Sequence, residues 1–191
     1  IGTGGAAGEI DLQTGGANDA YGQIGHGGRQ ATGTTNGNID VDSHGQIRLR
    51  DGGGNTNKYA QIGHGGRLNT GATHTGTINV TSDTSSITAA PGNDLGTYTQ
   101  IGNGGNGSTA TTLTGTVTAL AAQNITFTGG GGDDGYSQLG HGGTNATGDK
   151  VGAISATATA GNVTFNAGNG ARAYTQLGHG GIFTTGNHGE N

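Results

Sequence analysis

Cysteine, methionine and tryptophan are absent from this 191-residue chain, and Pro91 is its one proline. Without cysteine, no disulfide can staple the fold. That suits a secreted protein held by stacking, and equally a reducing compartment. Aromatic residues are scarce, with five Tyr and three Phe. A thick globular core cannot be built from so few large side chains, whereas many thin layers with one or two apolar residues per face can. Charge is scarce too. Only 10% of residues are ionisable Asp, Glu, Lys or Arg, seven basic against twelve acidic, for a formal net charge of −5. No basic stripe exists to neutralise phosphates, so nucleic acid is not an expected partner. No run approaches the roughly 18 apolar residues of a membrane helix, so membrane insertion is not expected. The chain opens at Ile1 without a signal peptide, which reads as an excised piece of a longer protein.

Glycine is abundant instead, at 46 of 191 residues. Low hydrophobicity with Gly, Asn and Thr would suit a disordered chain. Two features oppose that. Little charge repulsion keeps the chain open, and the apolar residues recur at fixed places. The octapeptide Tyr21-Gly22-Gln23-Ile24-Gly25-His26-Gly27-Gly28 returns as Tyr-x-Gln-[Ile/Leu]-Gly-[His/Asn]-Gly-Gly at Tyr59, Tyr98, Tyr136 and Tyr174. The spacings are 38, 39, 38 and 38 residues, and all five tyrosines lie in the motif. A period this regular identifies a repeat protein.

Upstream of each tyrosine lies a short alternating segment: Ile10-Asp11-Leu12, Ile47-Arg48-Leu49, Ile87-Thr88-Ala89, Ile125-Thr126-Phe127 and Val163-Thr164-Phe165. Alternation of β-branched or aromatic residues with polar ones reads as a half-buried strand. Earlier again come Ile39-Asp40-Val41, Ile78-Asn79-Val80, Thr116-Val117-Thr118 and Ile154-Ser155-Ala156, with the first copy missing. Each unit thus offers three short strands divided by turns rich in Gly, Asn and Ser. Helix is unsupported, because Gly every few residues costs about 1 kcal/mol apiece. The expected fold is all-β: a parallel β-helix, or β-solenoid, of about five 38-residue repeats spanning 1–191 as a single unit. The period admits one wide coil per repeat or two narrow ones. One is favoured, because a recurring Tyr, Gln or His gains most when its copy lies directly above it.

Within the octapeptide, strand alternation places Ile24, Ile62, Ile101, Leu139 and Leu177 in a core column. Tyr21, Tyr59, Tyr98, Tyr136 and Tyr174 then form an outward column of packed rings. Gln23, Gln61, Gln100, Gln138 and Gln176 form a second, bonding amide to amide. A bulge at the following glycine would reverse the two faces. His26, His64, Asn103, His141 and His179 make a third column. Stacked imidazoles could share a metal ion, but Asn103 breaks the set and no carboxylate sits at a fixed place. The favoured role is a corner residue whose ring bonds to a backbone carbonyl of the adjacent coil. No cofactor is expected. Asp133-Asp134, after four glycines, is a weak calcium candidate and reads better as a solvated loop. His44, His74 and His188 lie outside the column and read as surface residues. No pair of carboxylates can be nominated for catalysis, so an enzyme is not expected.

Segments such as Gly37-Asn38-Ile39-Asp40-Val41 and Gly161-Asn162-Val163-Thr164-Phe165, together with the octapeptide, resemble the shaft repeats of filamentous-haemagglutinin-like giant adhesins of Gram-negative bacteria. The resemblance covers all five repeats and departs from that family's coil, which is about half as long as this period. It implies a rigid extracellular shaft at the bacterial cell surface, serving adhesion or biofilm, with neighbouring repeats of the parent chain as partners and no catalytic residues. The alternative is a carbohydrate-binding module that meets a cell-surface or matrix polysaccharide through exposed Tyr, Gln, Asn and Thr columns.

Overall fold

The computed structural model describes residues 2–3 and 8–189. Among them every regular element is a strand, and all pairing is parallel. The chain winds as a β-solenoid of about five coils, one coil of about 38 residues per repeat. The register settles the count of coils: Tyr98 pairs with Tyr59 on one side and Tyr136 on the other, with no coil between.

Each full coil contributes four strands, one to each of four five-stranded sheets. Sheet I holds Gly2–Thr3, Ile39–Ser43, Ile78–Ser82, Val117–Ala121 and Ile154–Ala158. The first copy, missing from the sequence pattern, is therefore present as the short strand Gly2–Thr3, paired with Asp42 and Ser43. Sheet II holds Ile10–Gln13, Ile47–Arg50, Ile87–Ala90, Ile125–Thr128 and Val163–Asn166. Sheet III is the octapeptide sheet: Tyr21–Ile24, Tyr59–Ile62, Tyr98–Ile101, Tyr136–Leu139 and Tyr174–Leu177. Sheet IV was not anticipated. It holds Thr35–Asn36, Thr73–Thr75, Thr112–Thr114, Asp149–Val151 and His188–Gly189.

Sheets I, II and III enclose the main core. In sheet I the buried residues alternate strictly, as in Ile78, Val80 and Ser82 with Asn79 and Thr81 outward. Sheet II does the same with Ile47 and Leu49 against Arg48 and Arg50. In the fourth coil a large residue on one sheet meets a small one on another: where sheet II carries Phe127, sheet I carries Ala119 in the column that holds Val41 and Val80 in the coils before. Pairing a large residue with a small one keeps that thin layer dense. Phe127 stacks on Phe165 with ring centroids 5.0 Å apart.

Sheet III behaves differently. Its central strands are buried at all four positions. The inward residues, Ala60 and Ile62 in the second coil, join the main core. The outward residues, Tyr and Gln, are covered because the chain folds back over them after the motif and runs along sheet IV. The expected sidedness is correct, but the columns are not exposed to solvent. They fill a second core.

Candidate functional site

The octapeptide builds this second core, and two glycines make it feasible. Gly63 adopts φ +152°, and a Cβ there would lie 1.9 Å from the carbonyl oxygen of Gly102 in the next coil. Only a residue without Cβ lets the turns nest at coil spacing. Gly105, φ +140°, seats the Tyr98 hydroxyl 2.6 Å from where its Cβ would be. The motif therefore encodes a ring and the hollow that receives it.

The tyrosine rings are parallel, with successive centroids 4.9, 4.8, 4.7 and 4.9 Å apart. Tyr59, Tyr98 and Tyr136 are fully buried, whereas Tyr21, in the first coil, is 47% exposed. Burial drives the phenol ionisation of Tyr98 and Tyr136 well above the ordinary range. These hydroxyls are locked in the neutral form.

The glutamines do not bond amide to amide. Gln61 Nε2 donates to the carbonyls of Gly102 at 2.9 Å and Gly104 at 3.0 Å in the next coil, and to His64 O at 3.3 Å in its own. Gln100 and Gln138 repeat the arrangement. The positive-φ glycine turn aims its carbonyls at the glutamine Nε2 of the preceding coil. Gln23, Gln61, Gln100 and Gln138 thus each tie their strand to two successive turns.

The His column carries the clearest chemistry. His64 Nδ1 accepts the His26 backbone N–H at 3.0 Å, and its Nε2 lies 2.8 Å from Gly37 O. His141 repeats this with Asn103 N at 2.9 Å and Gly115 O at 2.8 Å, and His179 with His141 N at 3.2 Å and Gly152 O at 2.8 Å. An amide can only donate, so Nδ1 is unprotonated and Nε2–H donates to the carbonyl. Each ring is a neutral bridge to two backbone groups of the preceding coil. Asn103 reproduces the acceptor half: its Oδ1 accepts His64 N at 2.9 Å, while its Nδ2 donates to Thr114 O of its own coil at 3.1 Å rather than to the preceding coil. The shared requirement of the column is an acceptor for the amide of the coil before. With both nitrogens of His64, His141 and His179 engaged by backbone, these rings offer no lone pair to a cation. Burial depresses His64 and takes His141 down to about 3.

Comparison with protein-family models, curated proteins and solved structures returns no match. The site has to be read from its own geometry.

Sheet IV adds a column the sequence did not reveal: Thr35, His74, Leu113, Lys150 and His188, in register. His74 was expected at the surface and is fully buried. It bonds Thr35 Oγ1 at 2.8 Å and Asn69 Oδ1, and burial lowers it to about 4. Lys150 is also buried, its ammonium donating to Gly148 O at 2.6 Å and Thr185 O at 2.9 Å. Burial pushes its pKa down. A second buried lysine, Lys58, pairs with Asp51 at 2.6 Å, and Asp94 lies 3.4 Å away.

Asp133 and Asp134 are drawn into the stack. Asp133 Oδ1 accepts Ala171 N at 2.8 Å, and Asp134 holds Arg172 through two bonds of 2.6 and 2.9 Å. Among the described residues no group of three or more His, Cys, Asp or Glu is placed to hold a metal ion. Depressions occur at the two ends of the stack. One is lined by Ile154, Leu177, His179 and His188, the other by Ile24, His26, Ile39 and His64. They are the same corner of the coil, open at either end.

Proposed function

We propose that this chain is a structural module of a rigid extracellular shaft, part of a large secreted bacterial adhesin of the filamentous-haemagglutinin-like type, with neighbouring repeats of its parent as direct partners. The observation that carries this reading is the unbroken register of the octapeptide through five coils, in which stacked Tyr rings, Gln23, Gln61, Gln100 and Gln138, and His64, Asn103, His141 and His179 hold one coil on the next. The commitment is mechanical. The rings of His64 and His141 are neutral, buried and bonded to backbone, and the Tyr59, Tyr98 and Tyr136 phenols are buried and neutral, so the role is non-catalytic in this reading. Two cores per coil resist bending better than one thin core, and the half-exposed outward rows, such as Arg48, Thr88, Thr126 and Thr164 on sheet II, are polar and discourage sideways association.

The carbohydrate-binding alternative loses its principal element, because tyrosines buried in a second core cannot stack on sugar faces. A polysaccharide partner would have to be met by the outward Thr and Asn rows instead. Immunogold labelling of intact cells of the source organism tests the shaft. Label held away from the outer membrane is the expected result, and label confined to the cell interior would overturn it. A glycan array on the purified chain separates the alternatives, since strong saturable binding would favour the module over the shaft.

A further inference from the structure

Lys58 is the one charged residue in its column, which otherwise holds Ala20, Thr97, Gly135 and Ala173. Asp51 is alone in the same way, with Thr14, Pro91, Gly129 and Ala167 as its counterparts. The pair therefore belongs to no ladder. Its side chains are 0% and 7% exposed, with Nζ 2.6 Å from Oδ1. A buried ion pair is stable when its remaining protons and lone pairs also find partners. Here the Nζ contact is not aligned as a hydrogen bond, and Asp51 Oδ2 has no hydrogen-bond partner among the described residues. Groups from the coils on either side close around the pair. Thr14 Oγ1 donates to Asp51 Oδ1 at 2.7 Å and itself accepts Gly52 N–H at 2.9 Å. Asp94 Oδ2 lies 3.4 Å from Nζ. Arg50 is turned outward to Asp11 and does not compete. A depression on the flank of the stack, lined by Gly53, Pro91, Asn93 and Asp94, opens onto Asp51.

We propose that Lys58 and Asp51 condense within the folded chain to an isopeptide bond, Nζ joined to Cγ, with release of one water. The ion pair is the reactant. Asp51 starts ionised: burial works to raise its pKa, and the attraction of Lys58 and the Thr14 hydroxyl outweigh it and hold it low. Asp94 takes a proton from the ammonium, which frees the Nζ lone pair to attack Cγ. The negative charge that grows on Oδ1 meets the Thr14 hydroxyl already pointed at it. Asp94 passes the proton on, and Oδ2 leaves as water with two of the three ammonium protons. The third stays on the amide nitrogen. One N–C bond forms and one C–O bond breaks, both charges cancel, and Asp94 ends as it began. Nothing is oxidised or reduced, and no co-reactant is needed. The flank depression gives the water a way out. Condensation removes two charges from a site that solvates them poorly, and it pins the glycine-rich loop 52–57 to its own coil. The step is a single self-modification, not turnover, and it does not depend on the shaft reading.

The test is intact-mass spectrometry of the full 191-residue chain, sampled from purification through prolonged incubation of the folded protein at neutral pH, beside Lys58→Arg and Asp94→Asn. Far-UV circular dichroism verifies that the variants fold, and the wild-type mass decides without them. The wild-type chain is expected to lose about 18 Da, one water. Trypsin cuts after Arg50, Lys58 and Arg67 in the unmodified chain; the amide blocks Lys58, so a single fragment of residues 51–67 should carry the whole loss. Lys58→Arg should keep its full mass, and Asp94→Asn should lose water at least about a hundredfold more slowly. A wild-type chain that keeps its full mass after prolonged incubation overturns the proposal. So does a loss that persists in Lys58→Arg, which would place a cyclic imide at an Asp-Gly or Asn-Gly bond instead. Asp94→Asn reacting at the wild-type rate would overturn the proton path.

Discussion

Replacing His141 separates hydrogen bonding from mere filling of space. Its ring accepts Asn103 N–H at 2.9 Å and lies 2.8 Å from Gly115 O, both inside a buried turn. His141→Leu keeps most of the volume and leaves one amide and one carbonyl without partners. Each buried unpaired backbone group costs about 1–3 kcal/mol, so a loss of about 2–5 kcal/mol is expected. His141→Asn should recover about half of that loss, because Asn103 already accepts the equivalent amide in the coil below while turning its Nδ2 to its own coil. Urea unfolding followed by far-UV circular dichroism measures both. Equal losses for Leu and Asn would refute the bridging account and reduce the column to packing.

Acid should act on the same column and on His74 of sheet IV. Folding holds His141 at about 3 and His74 at about 4, against an ordinary value of 6.5. Below pH 6.5 the unfolded chain takes up protons that the folded chain refuses, so stability is complete above 6.5 and falls with pH, by about 1.4 kcal/mol per pH unit for each fully refused proton. A thermal midpoint that is flat between pH 7 and 4.5 would contradict this. Gly63→Ala should cost at least about 3 kcal/mol, since its Cβ meets the Gly102 carbonyl; a wild-type urea midpoint would refute the nesting argument. Asp51→Ala should cost about 3 kcal/mol by leaving the buried Lys58 ammonium only Asp94, 3.4 Å away, while a Lys58→Met/Asp51→Leu pair should recover most of that loss in the same assay. Native-state nitration should modify Tyr21 and spare Tyr59, Tyr98 and Tyr136, as peptide mass mapping would show.

Much of the solenoid was legible in the sequence because a stacked coil repeats its own constraints. The tyrosine period gave the coil length, and alternation in segments such as Ile47-Arg48-Leu49 gave sheets I and II with their inward faces, save that the segment aligned at Thr116 is one residue out of phase, since Val117 pairs with Ile78 and Ala119 with Val80. Sidedness in the octapeptide was legible too, with Ile62 inward and Tyr59 opposite. Its solvent exposure was not, because alternation reports which face a residue occupies and not whether another segment covers that face. The covering strands were hidden by their composition. Thr73-His74-Thr75 and Thr112-Leu113-Thr114 share only the flanking threonines, and the buried position between them holds Thr, His, Leu, Lys and His in turn. The one consistent signal was the glycine immediately after each such strand, at Gly76, Gly115 and Gly152, stacked too closely to admit a Cβ. The glutamine amide ladder failed for a related reason. Backbone acceptors created by left-handed glycine turns do not show in a side-chain pattern.

The central claim is that one repeat makes one coil. Because the chain has no cysteine, two can be introduced cleanly at Thr88 and Thr126, outward neighbours paired in register on sheet II. Adjacent coils place their Cα atoms about 4.8 Å apart, within reach of a disulfide, whereas two coils of separation exceed the roughly 7 Å limit. Mild oxidation of this variant should close the bridge within the monomer, and the control pair at Arg48 and Thr126 should stay reduced. A bridge in the control, or none between Thr88 and Thr126, would contradict one coil per repeat.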